Sequence, residues 1–576
     1  MILQRRAFKR LLPLVCCILL LRLYMLREDG NGLEDELEEP RQYPQTRDTL
    51  HQDAHSDVFK VDEILTKPAL AQHGFSHSRS SNGQPSEDPI FPLPFESRQP
   101  SRLPVRYRNS VGDLPLVFEE SNEGSRRNTL FTQQAERQPR TSSGSSPLWM
   151  RITDDVYTYS SFWDTRSDLP EGPFVRVLGA MRYQRELVKE DAGYKWSGVV
   201  KEDMLNVSCL LWYEDQENPQ DGVLKAFIFE EGLKTFVGTF FLCYPQLSEG
   251  DFFVNTNKSV EAKNNGRNRI PYAVSMAALG TINASHKLIY LSNVKTLNEF
   301  SNSNTSAVCV RPLHGPYSDL EGITQFISYY AVALRVSHFY FYDLAVSPEV
   351  KRLLKLFTTD NVTIEILPWN VPTSEWSEFW DLGSLTSLND CVYRSAGRHR
   401  YVAIVDLDEF MVPKTPAADL GELYHNVLKP KHGEVGDAAL ILNAFFCFDF
   451  KENTNKNHTS FPMFLHTQRE ARLWPPKSRS KMILIPEAIV SVGHHMVHHF
   501  LRKTSKNRSS PKHVSVLHHY RTCGDLRLGI HGTGSPVLIQ ETVKDAAIVK
   551  FKKAVLGSKI VALYKNFIMH EMIDNF

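Results

Sequence analysis

The 576-residue sequence has no surplus of either charge, with 66 Lys and Arg against 66 Asp and Glu. Binding to nucleic acid grows with the number of phosphates neutralised, so a chain without a basic surplus is not held there by a global field. Cysteine is scarce, 8 in all, too few for a small disulfide-stapled scaffold. No C-x-x-C and no H-E-x-x-H occurs, so zinc at its usual ligand spacings is not expected. Long apolar runs are missing beyond the first 26 residues, and the mean hydropathy is −0.31, which excludes a multi-span membrane protein. Between 28 and 148 there is neither Cys nor Trp. That stretch is rich in Pro, Ser, Arg and Gln, and cannot bury enough apolar area to offset the entropy of ordering it.

What is present at the N-terminus reads as an address. Arg5, Arg6, Lys9 and Arg10 precede an apolar run, Leu11 to Met25, broken only by Pro13 and Arg22. No small-residue cleavage site follows, which favours an uncleaved anchor over a signal peptide. With the basic flank on the cytosolic side, the positive-inside rule places everything beyond the anchor in the lumen. The expected organisation is a cytoplasmic tail (1–10), a transmembrane signal anchor (11–26), a disordered stem (27–148), a β-rich lumenal domain (149–305) and a catalytic α/β domain (306–576). Seven N-x-[ST] sequons agree with a lumenal chain: Asn206, Asn257, Asn283, Asn304, Asn361, Asn457 and Asn507. Six Cys lie beyond the anchor, at 209, 243, 309, 391, 447 and 523; in an oxidising lumen they can pair, with a connectivity the sequence leaves open.

Residues 174–300 show short apolar runs broken by turn residues, the pattern of a mostly β region. From 306 the pattern changes. Ala307–Leu313 reads as a strand. Ser318-Asp-Leu-Glu321 reads as a capping box before a helix whose apolar face is Ile323, Phe326, Ile327, Tyr330 and Leu334. A strand follows at His338–Tyr342, ending at Asp343. A helix then opens on Ser347-Pro348, with further strands at Thr363–Leu367 and Tyr401–Val405, and a helix from Ser384 to Ala396 stopped by Gly397. Strands alternating with helices predict a parallel sheet covered on both faces.

The last of these strands runs into Asp406-Leu407-Asp408-Glu409. Ligands of open α/β sheets bind at the C-terminal ends of strands. Residues two apart on an extended strand project to one side, so the two carboxylates are expected to face one point. Such oxygen ligands suit Mg²⁺ or Mn²⁺. A cation held there can bridge the phosphates of a nucleotide sugar and neutralise the leaving diphosphate.

The runs His338-Phe-Tyr-Phe-Tyr-Asp343, Asn389-Asp-Cys391 with Tyr393-Arg394, Val405-Asp-Leu-Asp-Glu-Phe410 with Pro413, Lys481 with Pro486, Gly493-His494-His495, and His519-Tyr520-Arg521 together resemble glycosyltransferase family 92, the DUF23 domain, over roughly 306–525. The resemblance implies a GT-A-like (Rossmann-like) fold and a single-span Golgi membrane protein. It also implies an inverting, Mn²⁺-dependent β-1,4-galactosyltransferase using UDP-galactose. Its acceptor would be galactose or fucose on a glycoprotein or glycolipid glycan, and a homodimer is left open.

On this reading Asp406 and Asp408 serve the metal, and His519 is the third ligand by analogy with GT-A enzymes, with His494 or His495 as rival. Glu409 supports them or forms an ion pair. Asp343 addresses the nucleoside or caps the next loop. Asp390 and Arg394 belong to nucleotide-sugar binding, Arg394 pairing with the diphosphate or with Asp390 itself. Lys481 and Arg479 steady phosphates or form a solvated basic face. Inversion needs a general base on the acceptor side, for which Asp449 and Glu470 are the candidates; Trp474 stacks on a sugar or sits in the core. Two other readings stay open: a catalytically inactive lumenal glycan-binding relative, and a hydrolase with paired carboxylates. The second is disfavoured, because glycosidase carboxyls flank a sugar at roughly 5–9 Å.

Overall fold

The structure is a computed structural model. It describes residues 147–166, 172–184, 198–230, 234–246, 251–255, 260–264, 267–280, 287–293, 305–373, 378–429, 436–450, 461–523 and 541–574. The expected tail, the anchor and nearly all of the stem lie outside these residues. Among the described residues no helix is long and apolar enough to cross a membrane.

Among the described residues, 150–290 hold an antiparallel sheet of eight strands. Its members are β1 (Met150–Arg151), β2 (Val156–Asp164), β3 (Phe174–Arg182), β4 (Val207–Trp212), β5 (Gln220–Ile228) and β6 (Phe236–Pro245), together with β10 (Ala273–Ala278) and β11 (Ile289–Tyr290). The intervening β7 (Asp251–Asn255), β8 (Val260–Asn264) and β9 (Arg267–Asn268) form a separate small sheet. Alternation sorts the eight-stranded sheet into two faces. Val175, Val177, Val237 and Phe241 enter one core. Phe162, Leu178, Phe227 and Phe240 enter another, which is completed by Leu385 and Tyr393 of a helix in the second half. A disulfide between Cys209 and Cys243 crosses β5. It does so over Gly222, where an added Cβ would lie 2.3 Å from the Cys243 sulfur.

The second half is built on a seven-stranded sheet. Parallel strands β12 (Ser306–Cys309), β13 (His338–Asp343), β14 (Thr363–Pro368) and β15 (Tyr401–Ile404) alternate with α1 (Leu320–Ala333), α2 (Pro348–Phe357) and α3 (Ser384–Ser395). After β16 (Glu409–Pro413), α4 (Leu420–Leu428), β17 (Ala438–Ile441), β18 (Asn443–Cys447) and β19 (Gln468–Glu470), the strand β20 (Lys481–Leu484) inserts antiparallel between β15 and β17. The expected all-parallel sheet is therefore corrected to a mixed one. A hairpin, β21 (Ile489–Val492) and β22 (Val497–Phe500), leads to the edge strand β23 (Asn507–Ser509). The strand β24 (Ser515–Arg521) lies between β16 and β18 in a second, three-stranded sheet.

Both faces of the large sheet are covered. Val308, Phe339, Phe341 and Ala403 face α1, α2 and α4. Cys309, Tyr340, Tyr342 and Ile404 face Leu388 and Val392 of α3. The N-cap of α1 is Asp319, whose carboxylate accepts the Gly322 N–H, and not Ser318 as the capping-box pattern suggested. Ser347 caps α2, with Pro348 in its first turn. The other disulfides are Cys309–Cys391, tying β12 to α3, and Cys447–Cys523, tying the end of β18 to the segment after β24.

Candidate active site

Strand order decides where chemistry can sit. From β12 the chain steps outward to β13 and β14, then returns to place β15 on the other side of β12. A crevice opens at such a reversal, outside the C-terminal strand ends. Arg311 follows β12 and Asp406 follows β15, so both stand at this switch point. The Arg311 Nε donates to Asp406 Oδ1 at 2.7 Å, and its other arm donates to Asp381 at 2.7 Å. Asp381 and Leu382 have φ of 46° and 52°, and Gly383 follows at 76°. Two non-glycine residues in the left-handed region store strain of about 1–3 kcal/mol each, and that turn presents the Asp381 carboxylate to Arg311.

Asp406, Leu407 and Asp408 do not extend the strand. They form a turn closed by the Glu409 N–H donating to the Asp406 carbonyl at 3.1 Å. The extended-strand argument for their common direction is thereby corrected: the turn sends the two carboxylates to different partners. Asp406 Oδ2 accepts from Lys481 Nζ at 2.8 Å, so both of its oxygens hold a cation. Burial raises the Asp406 pKa, but Arg311 and Lys481 outweigh it and hold the group well below the ordinary aspartate range. Lys481 is itself buried and lies 3.3 Å from Glu409 Oε2. Burial disfavours its ammonium, yet Asp406 and Glu409 win and raise its pKa.

Asp408 is half-exposed and meets His519 Nε2 at 3.2 Å. The other ring nitrogen, Nδ1, lies 3.1 Å from Asn443 Oδ1 and 3.2 Å from Glu409 Oε1. Both neighbours are acceptors, so Nδ1 carries the proton. The Nε2 side is turned toward the Asp408 carboxylate, so the ring bridges two acidic groups. The Asp408 oxygen and the His519 Nε2, 3.2 Å apart, are also close enough to serve as neighbouring ligands of one divalent cation. Asp408 and His519 fit such an ion, with Glu409 and Asn443 orienting the imidazole from behind. Asp406 does not join them. Among the described residues, the one group of three ligand atoms within 4.8 Å of one another is Cys447, Asp449 and Cys523, whose sulfurs are already bonded together. Burial of Glu409, reinforced by the Asp406 charge, raises its pKa.

A cleft of about 390 Å³ adjoins this pair, lined by Tyr317, Asp319, Leu407, Asp408, Phe448 and Tyr520. A larger hollow of about 430 Å³ opens beside Arg400, Tyr401 and His425. It lies at the start of β15, the opposite end of the strand from the carboxylates, where the switch-point argument does not apply.

The remaining expected residues fall elsewhere. Asp390 is fully buried and accepts from Ser160 Oγ (2.5 Å), Tyr342 Oη (2.7 Å) and Arg394 Nε (2.6 Å). Asp390 and Arg394, expected at the nucleotide sugar, form a buried ion pair joining α3 to both sheets. Asp390→Asn is expected to cost about 3–5 kcal/mol of stability and to leave nucleotide affinity unchanged, checked by thermal unfolding and titration calorimetry. Asp343 ends β13 at the site edge, but its carboxylate takes the Val346 N–H and the Lys351 ammonium. Of the rival histidines, His494 Nε2 bonds Ser384 Oγ at 2.7 Å and His495 Nδ1 meets the Ser480 carbonyl at 3.2 Å; burial lowers both pKa values.

Glu470 is buried, and its Oε1 accepts from the Phe445 N–H and the Trp474 indole N–H. Arg479 lies 4.6 Å over the Trp474 ring, covering the face a sugar would need. Asp449 is exposed, accepts the Cys523 N–H, and follows Phe448 of the cleft wall. Arg311 and Asp381 were missed by the sequence reading. The available signal was position: Arg311 follows the first parallel strand as Asp406 follows the fourth.

One curated relative is the Beta-1,4-galactosyltransferase galt-1 of Caenorhabditis elegans, 27% identical over 140 residues. That stretch is 24% of this chain and 32% of the relative, so the chain matches about a third of the relative's length. Residues 304–556, somewhat under half of the chain, match the model of glycosyltransferase family 92.

Proposed function

We propose that the protein is an inverting, metal-dependent glycosyltransferase with a GT-A-like catalytic domain. It would transfer a hexose, galactose from UDP-galactose, to a galactose or fucose residue of a glycan. It would act in the Golgi lumen from a type II membrane anchor. The observation carrying this reading is the Asp408–His519 pair beside an open cleft at the topological switch point. Asp408 and His519 would hold Mn²⁺ or Mg²⁺, which supplies positive charge to the departing diphosphate. Arg311 and Lys481, both paired with Asp406, hold in place the turn that carries Asp408 on the same edge. The acceptor hydroxyl oxygen attacks the anomeric carbon, a carboxylate takes its proton, and UDP leaves with the bonding electrons. Asp449 suits the base better than Glu470, because it is exposed next to Phe448 while Glu470 is committed to positioning Trp474 and Phe445.

One feature favours a second reading, that of an inactive glycan-binding relative: both Asp406 oxygens are already neutralised by protein cations. The purified full-length chain, offered a panel of UDP-sugars with Mn²⁺ or EDTA, separates the two. Release of UDP from UDP-galactose only with metal and a galactosylated or fucosylated acceptor supports the enzyme. Glycan binding without UDP release supports the second reading.

A further inference from the structure

Three of the seven sequons fall on described residues, and the fold treats them differently. Asn206 and Asn361 are exposed. Asn206 precedes β4 in the first sheet, and Asn361 lies in the turn before β14, at the end of that strand away from the switch point. A large substituent on either side chain extends into solvent and leaves the cleft beside Asp408 open.

Asn507 is different, because its amide acts as a piece of strand. Its Oδ1 accepts the Val497 N–H at 2.9 Å and its Nδ2 donates to the Val497 carbonyl at 2.8 Å. Closing both bonds on one residue uses the Nδ2 hydrogen on the same side as Oδ1. An N-linked sugar forms a secondary amide, and a trans amide places its substituent on that same side. The glycan would therefore replace the hydrogen that the fold uses, and it would meet Val497, which is 1% exposed.

We propose that Asn206 and Asn361 carry N-linked glycans in the folded protein, and that Asn507, despite its sequon, is an unmodified structural amide. The modification joins Asn Nδ2 to C1 of an oligosaccharide donated by a lipid-linked diphosphate. The N–C1 bond forms, the C1–O bond to phosphate breaks with its electrons leaving on the diphosphate, and the Nδ2 proton passes to a base of the transferring enzyme. The proposal rests on the lumenal part of the reading above and not on the transfer chemistry.

The test is site-by-site occupancy in the full-length chain made in cells with an N-glycosylating secretory pathway. Enzymatic deglycosylation in heavy-oxygen water marks each occupied Asn for mass spectrometry. Asn206 and Asn361 are expected to be marked in most molecules, and Asn507 in almost none. Ser208→Ala and Thr363→Ala should each remove one glycan step on a gel. Ser509→Ala deletes the third sequon but keeps the amide, so it should change neither mobility nor Tm, whereas Asn507→Ala should lower Tm. A glycan step lost in Ser509→Ala, or bare Asn206 and Asn361 in the wild type, overturns the proposal. Occupied sites on a protein that releases no UDP would uphold it while sinking the enzymatic reading.

Discussion

Asp408→Asn is expected to lower sugar transfer by about 100-fold or more while leaving the fold intact. The carboxylate is half-exposed and faces His519 at 3.2 Å, and its backbone carbonyl, which accepts the Tyr520 N–H, is untouched by the change. An amide of the same shape keeps packing and removes the charge that a cation needs. Tm should therefore move by no more than about 2 °C, and the residual activity should demand much more Mn²⁺. Asp406→Asn provides the contrast: that carboxylate holds Arg311 and Lys481, so its loss should lower both stability and turnover. UDP release against metal concentration, with thermal melts of both variants, checks the pair. Wild-type transfer by Asp408→Asn at low metal would remove Asp408 from the metal site.

Much of this arrangement could be read locally, and the failures share a cause. The α1 face was legible because Phe326, Ile327 and Tyr330 recur at helical spacing and enter one core. The strands β12 to β15 were legible as continuous apolar runs. Asp319 and Ser318 were confused because adjacent residues with short oxygen-bearing side chains can both cap. Asp390 and Arg394 stand four apart on one helix, the spacing of a local ion pair, and the distant Ser160 and Tyr342 complete their burial. Arg311 stayed hidden because its importance depends on β15 lying next to β12, a pairing between residues nearly a hundred positions apart. Local patterns identify elements; which strand ends meet at the crevice is set by non-local packing.

Lys481→Met should be the most destabilising single change near the site, costing about 3–5 kcal/mol at neutral pH. Methionine fills similar space, so the cost is electrostatic: Asp406 and Glu409 are left with less positive charge between them. The pH dependence identifies this cause. Lys481, with a raised pKa, remains charged through neutral pH, so its own contribution is lost only above the ordinary lysine range. Glu409 has a raised pKa in the folded state, through burial first and the Asp406 charge after it. A carboxyl raised in this way favours the folded state below its unfolded pKa, and that advantage is lost as pH climbs through the folded value. Without Lys481 the Glu409 pKa rises further, so its proton is held to higher pH. The deficit relative to wild type should consequently be smaller at pH 5 than at pH 8, as read by thermal unfolding at each pH. An equal deficit at both pH values would show that Lys481 acts through packing, and the electrostatic anchoring of the Asp406 turn would then rest on Arg311 alone.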